Sequence, residues 1–376
     1  MKILFLYTEL AGYVMSCFKA LADKPQTANR KTDIPPTNIP HTANHKTDTP
    51  QTDTPQTATE VHVVRWPVNK EAPFNFDIPE EVHIYNRPDY NNNELLELVT
   101  EINPDKIICS GWIDKGYLKV CKHYKNKIPT VLTLDNHWFG NPKQQLARVI
   151  APFHIKRHFS HAWVPGEPQA KYARKLGFGN KIFTGFYSAD TDHFKEIYQV
   201  KSQASNIPPR FIYIGRYIPQ KGLDLLFKAF IEIHEEHTSD WELWCLGTGE
   251  LFDERPNHPK IKHHGFVQPA DMNKYLKESG VFVLPSRFEP WGVVVHEMAV
   301  AGFPMICSSA IGGTTQFLKD DENGFLFENE NKEELKQALW KIMNLNQNRL
   351  KQMSIKSHQL GMQHTPEKWA DIVISI

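Results

Sequence analysis

The sequence predicts an α/β protein with two Rossmann-like domains, and three observations support this fold class. Short apolar runs alternate with amphipathic stretches along most of the 376 residues, as they do in repeated βα units. Runs such as VFVLP and PMIC are apolar at nearly every position, which is typical of parallel strands covered on both faces. The length suits two or three domains of about 150 residues each. We therefore expect two parallel sheets with helices on both sides.

The first series of predicted elements spans residues 1–194. Its strands are expected at 1–7, 61–66, 106–109, 129–134 and 161–165, and its helices at 13–22, 94–102 and 115–124. The polar stretch 195–209 contains prolines and is predicted to be the linker between the domains.

The second series spans residues 210–355 and repeats the βα alternation throughout. Its strands are expected at 210–214, 241–246, 263–267, 281–285 and 304–308. Its helices are expected at 223–236, 271–279 and 292–301, with further helices after residues 332 and 350.

Residues 25–59 form a pentad repeat unlike the rest of the chain, with threonine at every fifth position. Five of the pentads begin with proline, and a period of five matches neither a helix nor a strand. We therefore predict a disordered insertion in the first domain. The alternative, a pentapeptide solenoid, needs a large apolar residue at each pentad centre, where threonine stands here.

The composition is that of an ordinary globular protein and excludes some functions. The 43 Lys and Arg residues balance 43 Asp and Glu residues, which excludes electrostatic capture of nucleic acid as the main activity. No apolar run approaches a membrane span, and the N-terminus shows no cleavage region, so a cytoplasmic location is expected. The five cysteines are widely spaced without a CxxC pair, which predicts reduced, buried thiols.

The densest candidate site follows the strand at 281–285, where a polar loop carrying Glu289 leads into a helix near Gly292. Open α/β sheets bind ligands in such a crevice, and the backbone N–H groups of Trp291, Gly292 and Val293 would favour a phosphate. Glu297 lies about one and a half helical turns into the helix, so two carboxylates can grip hydroxyls of one ligand. Alternatively, Glu289 caps the helix and Glu297 is solvated.

A second loop joins a strand to a helix in the segment FIYIGRYIPQKGLDLLFKAF. Arg216 and Lys221 lie five residues apart in its turn, directly before the helix. Two cations beside a helix N-terminus suit a diphosphate and would stabilise charge on a phosphate leaving group without a metal. The alternative is that both are ordinary surface residues.

Several segments resemble the donor domain of glycosyltransferase family four, whose members are retaining, nucleotide-sugar-dependent enzymes of the GT-B fold. The resemblance covers roughly residues 205–345 and rests on the segments GRYIPQKG, LGTGE, HGFV, LPSRFEPWGVVVHEMAVAGFPMI, IGGTTQF and ENGFLF. It implies two Rossmann-like domains facing each other across a cleft, with acceptor binding in residues 1–194 and donor binding in 210–355. It also implies that a helix within 356–376 returns to the first domain.

The resemblance assigns a role to each candidate residue. Arg216 and Lys221 would hold the donor diphosphate, Glu289 the hydroxyls of the donor sugar and Glu297 the ribose. The Gly247 turn and the strand end at 264–267 would frame the base. The donor is then a co-substrate, and no cofactor or metal is implied. The departing phosphate oxygen would take the proton of the acceptor, so no carboxylate base is needed.

The first domain departs from the family pattern in two places. Many members end the fourth strand with a histidine facing the donor sugar, whereas here Asp135 stands at that place and His137 follows two residues later. Either residue can reach the cleft, or the loop is a simple Asx turn. The usual Gly-Gly of the first loop is Ala11-Gly12, which leaves Gly12 as a weaker candidate for a donor contact.

Two patterns suggest metal sites but are less favoured. Asp190 and Asp192 have the Asp-x-Asp form of a metal-diphosphate site, yet they lie in a polar connection between the domains. His154 and His158 are four residues apart on a possible helix, but neighbouring cations would repel a metal ion there.

The basic and apolar segment 148–161 can rest on the inner face of an anionic membrane or hold a phosphorylated lipid acceptor. Packing of an amphipathic helix on its own sheet is the favoured interpretation.

The sequence therefore predicts a hexosyltransferase-type enzyme that moves a sugar from a nucleotide-diphosphate sugar to a hydroxyl acceptor, in glycan, polysaccharide or glycolipid biosynthesis. Two alternatives share the fold, a nucleotide-sugar epimerase and a non-catalytic subunit that binds sugar nucleotides.

Overall fold

The computed structural model describes residues 1–8, 10–24, 59–67 and 78–376. The predicted insertion at 25–59 lies outside the described residues except for Thr59, whose side chain is buried and donates a hydrogen bond of 3.4 Å to the carbonyl of Lys24. The two described ends that flank this segment therefore meet.

Among the residues described, the N-terminal sheet has seven parallel strands in the order β3-β2-β1-β4-β5-β6-β7. Its strands are β1 (Lys2–Tyr7), β2 (Glu60–Arg65), β3 (Val82–Asn86), β4 (Lys106–Ser110), β5 (Thr130–Thr133), β6 (His161–Val164) and β7 (Ile182–Thr184). The helices of this half are α1 (Tyr13–Ala22), α2 (Asn92–Ile102), α3 (Lys115–Tyr124), α4 (Pro142–Ile150), α5 (Glu167–Lys175) and α6 (Thr191–Ser202).

The C-terminal sheet has six parallel strands in the order β10-β9-β8-β11-β12-β13. Its strands are β8 (Arg210–Ile214), β9 (Glu242–Leu246), β10 (Ile261–Gly265), β11 (Val281–Leu284), β12 (Met305–Ser308) and β13 (Gly324–Phe327). The helices are α7 (Leu223–Glu236), α8 (Met272–Glu278), α9 (Val293–Val300), α10 (Thr314–Phe317), α11 (Lys332–Met343), α12 (Gln347–Gly361) and α13 (Pro366–Ser375). The prediction of two parallel sheets covered on both faces is thus confirmed.

Each sheet has one point at which the direction of strand addition reverses. The chain leaves β8 for β9 and β10 on one side and then crosses to β11 on the other, so β8 and β11 are neighbours. In the N-terminal sheet, β1 and β4 are neighbours in the same way. The carboxyl ends of such strand pairs form a crevice that binds ligands in open α/β sheets.

The sequence predicts a linker over 195–209, but only part of this segment is one. Its first residues complete α6, which begins at Thr191 because the side chain of Asp190 caps it by accepting from the amide of His193 at 3.2 Å. Phe194 and Ile197 of this helix are buried in the core of the C-terminal domain. The polar connection between the domains therefore contains a capped helix, and the apolar side of this helix packs in the core of the second domain.

The expected C-terminal helix over 356–376 is two helices. Residues up to Gly361 belong to α12, which packs on α9 of the second domain, whereas α13 packs on α1 of the first. Trp369 of α13 is fully buried, with its ring 5.9 Å from that of Phe5 and 5.0 Å from that of Trp163. Its indole donates to the carbonyl of Phe186 at 2.7 Å.

The segment 148–161 only partly packs on its own sheet. Ile155 and Phe159 are buried in the N-terminal core as expected. Four apolar side chains at helical spacing, however, are exposed by 61, 68, 42 and 77%: Leu146, Val149, Ile150 and Phe153. The segment therefore packs on its own sheet on one side, as favoured, but its outer side is apolar and exposed.

All five cysteines are buried and free, as predicted. Among the described helices, none combines the length and apolar character needed to cross a bilayer.

We expect that replacing residues 25–58 by a short Gly-Ser linker lowers the melting temperature by less than about 2 °C, because the pentads lack the apolar periodicity of a core and their ends meet. Differential scanning calorimetry of the two proteins measures this. A loss of cooperative unfolding in the shortened protein would contradict the prediction that the insertion is disordered.

Candidate functional site

Two predicted site residues from separate loops are in direct contact at the crevice between β8 and β11. Lys221 follows β8, Glu289 follows β11, and the ammonium group of Lys221 forms an ion pair with Glu289 Oε1. Ser286 Oγ donates to the same carboxylate oxygen at 2.8 Å. Glu289 is 9% exposed, so its charge is held by these two partners rather than by solvent.

Further contacts fix the two loops against each other. Gly222 has φ +67°, and a Cβ there would lie 2.2 Å from the carbonyl oxygen of Pro285, so only glycine allows this close approach. The side chain of Gln220 donates to the carbonyl of Phe288 at 2.6 Å. Arg287 forms a bidentate pair with Asp224 at 2.9 and 2.8 Å.

The backbone of Glu289 also joins the loop that follows β12. Its amide donates to the carbonyl of Ala310 at 3.2 Å, and its carbonyl accepts from the amide of Gly312 at 3.1 Å. The loops after β8, β11 and β12 therefore converge on one acidic residue.

Arg216 and Gly247 lie beside this convergence. Arg216 is exposed at the end of β8, and its guanidinium has no carboxylate partner among the described residues. Gly247 has φ +136°, and a Cβ there would lie 1.9 Å from the carbonyl oxygen of Gly215. Gly247 thus lets the loops after β8 and β9 approach, whereas its contact with a base stays a prediction.

The N-terminus of α9 lies directly beside Glu289, since a Cβ at Gly292 would be 3.6 Å from the Cβ of Glu289. Gly292 precedes the helix with φ +81°, and Val293 is the first helical residue. The first amides of a helix have no partner inside the helix and carry the positive end of its dipole. The side chain of Trp291, by contrast, is only 2% exposed and packs on Gly166 of the first domain, so only its backbone can meet a ligand.

Glu297 is half-buried on α9, and its pKa is raised to about 7. Burial is the main cause, and the carboxylate of Asp190 adds to it. Close to neutral pH the carboxyl group therefore exists in both forms, so it can donate to or accept from a hydroxyl. Asp190 caps α6, as described above, which accounts for half of the Asp-x-Asp pattern.

Of the two predicted residues of the first domain, one contacts the loop after β11 directly, and the other is linked to that loop through Gln169. His137 Nε2 lies 2.7 Å from the carbonyl oxygen of Pro290, the residue after Glu289. Asp135 accepts a hydrogen bond of 3.3 Å from the hydroxyl of Tyr187. Gln169 donates both to the carbonyl of Pro290 and, at 3.2 Å, to that of Asp135. The loop after β5 is therefore linked to the loop after β11.

Sequence reasoning missed Gln169 and Tyr187 as parts of this site. Neither has a motif around it, and only the burial of a polar side chain marks Gln169, which is fully buried. Gly12 is exposed at the start of α1 with an ordinary helical φ of −56°, so its backbone does not require glycine. Its predicted contact with the donor stays a prediction.

Residues 194–359 match a family model described as glycosyl transferases group 1. An uncharacterised glycosyltransferase of Methanocaldococcus jannaschii is 32% identical over 120 residues, which are 30% of this chain and 30% of that protein. Glycogen synthase of Thermus thermophilus is 29% identical over 145 residues, 37% of this chain and 32% of that protein. The chain spans about a third of the length of these two curated relatives.

Solved structures cover the whole chain. Anabaena HepE in complex with UDP has a TM-score of 0.65 at 15% identity and covers 100% of this chain and 99% of its own. The lipopolysaccharide outer core galactosyltransferase WaaB has a TM-score of 0.62 at 14% identity with the same coverage. Together with the two parallel sheets, these likenesses show that the chain has the GT-B fold.

The pH dependence of stability tests the protonation of Glu297. Because its pKa in the folded protein lies above the value of about 4.3 in an unfolded chain, stability falls as pH rises from about 4 to 7. Glu297→Gln removes this loss. We therefore expect the difference in free energy of unfolding, variant minus unmodified protein, to be about 1–3 kcal/mol larger at pH 8 than at pH 5. Urea unfolding at both pH values measures the difference. Glu254→Gln, at an exposed site, is the control, and an equal effect of Glu297→Gln at both pH values would contradict the assignment.

Proposed function

We propose that this protein is a retaining glycosyltransferase that moves a hexose from a nucleotide-diphosphate sugar to a hydroxyl acceptor. The observation that carries the proposal is the Lys221–Glu289 pair at the crevice between β8 and β11, beside the N-terminus of α9. A diphosphate needs cations and free amides, and a sugar needs a fixed hydrogen-bond acceptor. The crevice offers all of these within one pair of loops. The family match and the UDP in the HepE structure support this choice of ligand.

The charges of the crevice suit a donor diphosphate. Arg216 has no carboxylate partner among the described residues, so its guanidinium is available to an incoming phosphate. Lys221 is held by Glu289 and can contact the phosphate nearest to the sugar while Glu289 accepts from the sugar hydroxyls. The amides of Gly292 and Val293 add the positive end of α9. Glu297 would bind the ribose.

The proposed reaction replaces one bond at the anomeric carbon on the same face. The bond from this carbon to the phosphate oxygen breaks, and a bond to the acceptor oxygen forms. The acceptor proton passes to the departing phosphate oxygen, so no carboxylate base is required. Arg216, Lys221 and the helix N-terminus stabilise the negative charge that develops on the leaving group, without a metal ion.

Asp135 and His137 are proposed to face the donor sugar from the acceptor side. His137 lies within hydrogen-bonding distance of the residue after Glu289, which places its imidazole at the border of the crevice. Both are candidates for contacts that strengthen as the glycosidic bond breaks.

The acceptor side of the protein carries the exposed apolar stripe of Leu146, Val149, Ile150 and Phe153. Lys143, Arg148 and Arg157 occur in the same stretch of sequence, and no acidic residue occurs between positions 136 and 166. An exposed apolar stripe within a cationic, acid-free segment suits an anionic membrane surface. We include peripheral contact with the inner face of a membrane in the proposed function, where a lipid-linked acceptor would be presented.

A panel of nucleotide sugars tests the donor class, since a ligand at a hundredfold excess over its dissociation constant stabilises a protein by about 2.7 kcal/mol. Thermal shifts identify the donor, and product analysis with and without hydroxyl acceptors identifies the reaction. Transfer with retained anomeric configuration supports the proposal. An epimerised nucleotide sugar without acceptor, or binding with neither hydrolysis nor transfer, overturns it in favour of an epimerase or a binding subunit.

We expect Glu289→Gln to lower kcat by about 100- to 1,000-fold, because it removes a contact that strengthens in the transition state. Binding of the nucleoside diphosphate alone should not weaken, because Lys221 loses its internal partner and becomes free for the phosphate. Kinetics and calorimetric titration measure the two effects, and circular dichroism checks the fold. Glu235→Gln on the exposed face of α7 is the control, and full activity of Glu289→Gln would contradict the role of Glu289.

For the membrane surface, we expect Val149→Ser with Phe153→Ser to weaken binding to phosphatidylglycerol vesicles more than about tenfold, because each large apolar side chain contributes roughly 1.5–3 kcal/mol when buried. Vesicle co-sedimentation measures this, and binding of the unmodified protein should fall with added salt. Ile355→Ser, at an exposed apolar position on α12, is the control. Equal binding by the double variant, or no binding by the unmodified protein, would contradict the surface.

A further inference from the structure

A cluster of three metal-ligating side chains lies on β2 and β3, outside the crevice. Glu60 and His62 are two residues apart on β2, so their side chains share one face of the sheet. His83 of β3 is the direct register partner of His62 and extends from the same face. The ligand atoms of Glu60, His62 and His83 all lie within 4.8 Å of one another.

His62 is the fixed member of this cluster. It is 6% exposed, and its Nδ1 lies 3.2 Å from the hydroxyl of Tyr85. This hydrogen bond orients the ring and leaves Nε2 directed at the cluster, 3.5 Å from Glu60 Oε2. Nε2 is buried and makes no hydrogen bond of good geometry among the described residues, and the Glu60 carboxylate beside it would pair with it only if the ring were protonated. A buried imidazole nitrogen so weakly partnered is unusual and calls for an explanation.

We propose that Glu60, His62 and His83 bind a divalent transition metal ion of the zinc class. Two imidazoles and one carboxylate are a donor set typical of Zn²⁺, with water completing a tetrahedral site. Bonds of about 2.0–2.1 Å place neighbouring ligand atoms about 3.4 Å apart. The separation of 3.5 Å between His62 and Glu60 already matches this spacing. Glu60 and His83 are exposed, so His83 can close the remaining distance by a rotamer change.

The surroundings of the cluster agree with a metal ligand role for His62. Tyr85 supplies the outer hydrogen bond that usually orients a metal-bound histidine. Lys2 of β1 competes with the metal ion for Glu60, because its ammonium lies 3.6 Å from Glu60 Oε2. This ion pair must break before Glu60 can bind the metal.

The position of the cluster indicates what the metal does. Glu60 begins β2, so the cluster lies towards the amino ends of the strands, away from the carboxyl ends that form the crevice. Within the described parts of the chain, β3 is the edge strand of its sheet and pairs with β2 alone. A metal held by side chains of both strands would attach this edge strand to the sheet. The ion therefore acts on stability and takes no part in sugar transfer.

Zinc titration of the full-length, chelator-treated protein tests the proposal. We expect one Zn²⁺ to bind per chain, with a rise in melting temperature, and Co²⁺ to give the absorption spectrum of a tetrahedral site. His83→Gln and Glu60→Gln change exposed residues, so they should fold normally and lose the site. His123→Gln, at an exposed histidine of α3, is the matched control and should bind as the unmodified protein does.

Two further variants distinguish a preorganised metal site from non-specific binding of Zn²⁺ to surface histidines. Tyr85→Phe keeps all three ligands and should weaken binding about tenfold through loss of the orienting hydrogen bond. Lys2→Met should tighten binding, because Glu60 no longer has a competing cation. The proposal is overturned if His83→Gln or Glu60→Gln binds Zn²⁺ as tightly as the unmodified protein, or if the unmodified protein binds none at micromolar concentration.

Discussion

The crevice is organised by the short segment Glu289–Pro290, which is bonded to the loops after β5, β8 and β12 and to helix α5. The Glu289 carboxylate takes Lys221 from the loop after β8, and its backbone pairs with Ala310 and Gly312 after β12. The carbonyl of Pro290 then meets His137 and Gln169 of the first domain. Glu289 and Gln169 are buried, so the hydrogen bonds of this segment replace those that solvent would otherwise make to them. The relative placement of both domains at the cleft therefore depends on it.

The carboxylates at the candidate site are paired or partly protonated before any ligand arrives, and one cation is left without such a partner among the described residues. Lys221 and Glu289 neutralise each other in a site where either charge alone would be costly. Burial and the neighbouring carboxylate of Asp190 raise the pKa of Glu297 to about 7, so this carboxyl group is mostly protonated below that pH. Arg216 remains exposed without an internal carboxylate partner in the described chain, so it is the positive charge that an incoming anion meets first.

The sequence predicted what depends on local pattern and missed what depends on distant contacts. Apolar runs located most strands of both sheets, although β3, β7 and β13 are short or half-polar and were not predicted. The Arg-Lys and Glu-Glu spacings led to the crevice because strand-loop-helix units place such residues at one sheet edge. Gln169 and the zinc-type cluster had no such signal. His62 and His83 are neighbours because of the register between β2 and β3, and this register cannot be read from a single sequence.

The return of α13 to the first domain affects the order in which the protein can be made. Trp369 fills space between Phe5, Phe18 and Trp163, and Lys106 donates to the carbonyl of Val373 at 2.9 Å near the end of α13. A nascent chain emerging from the ribosome has synthesised its entire first sheet long before these groups exist. Until α13 has left the exit tunnel, the apolar groove that Trp369 fills in the folded protein stays open. A chaperone that covers this groove would protect the amino-terminal half during translation.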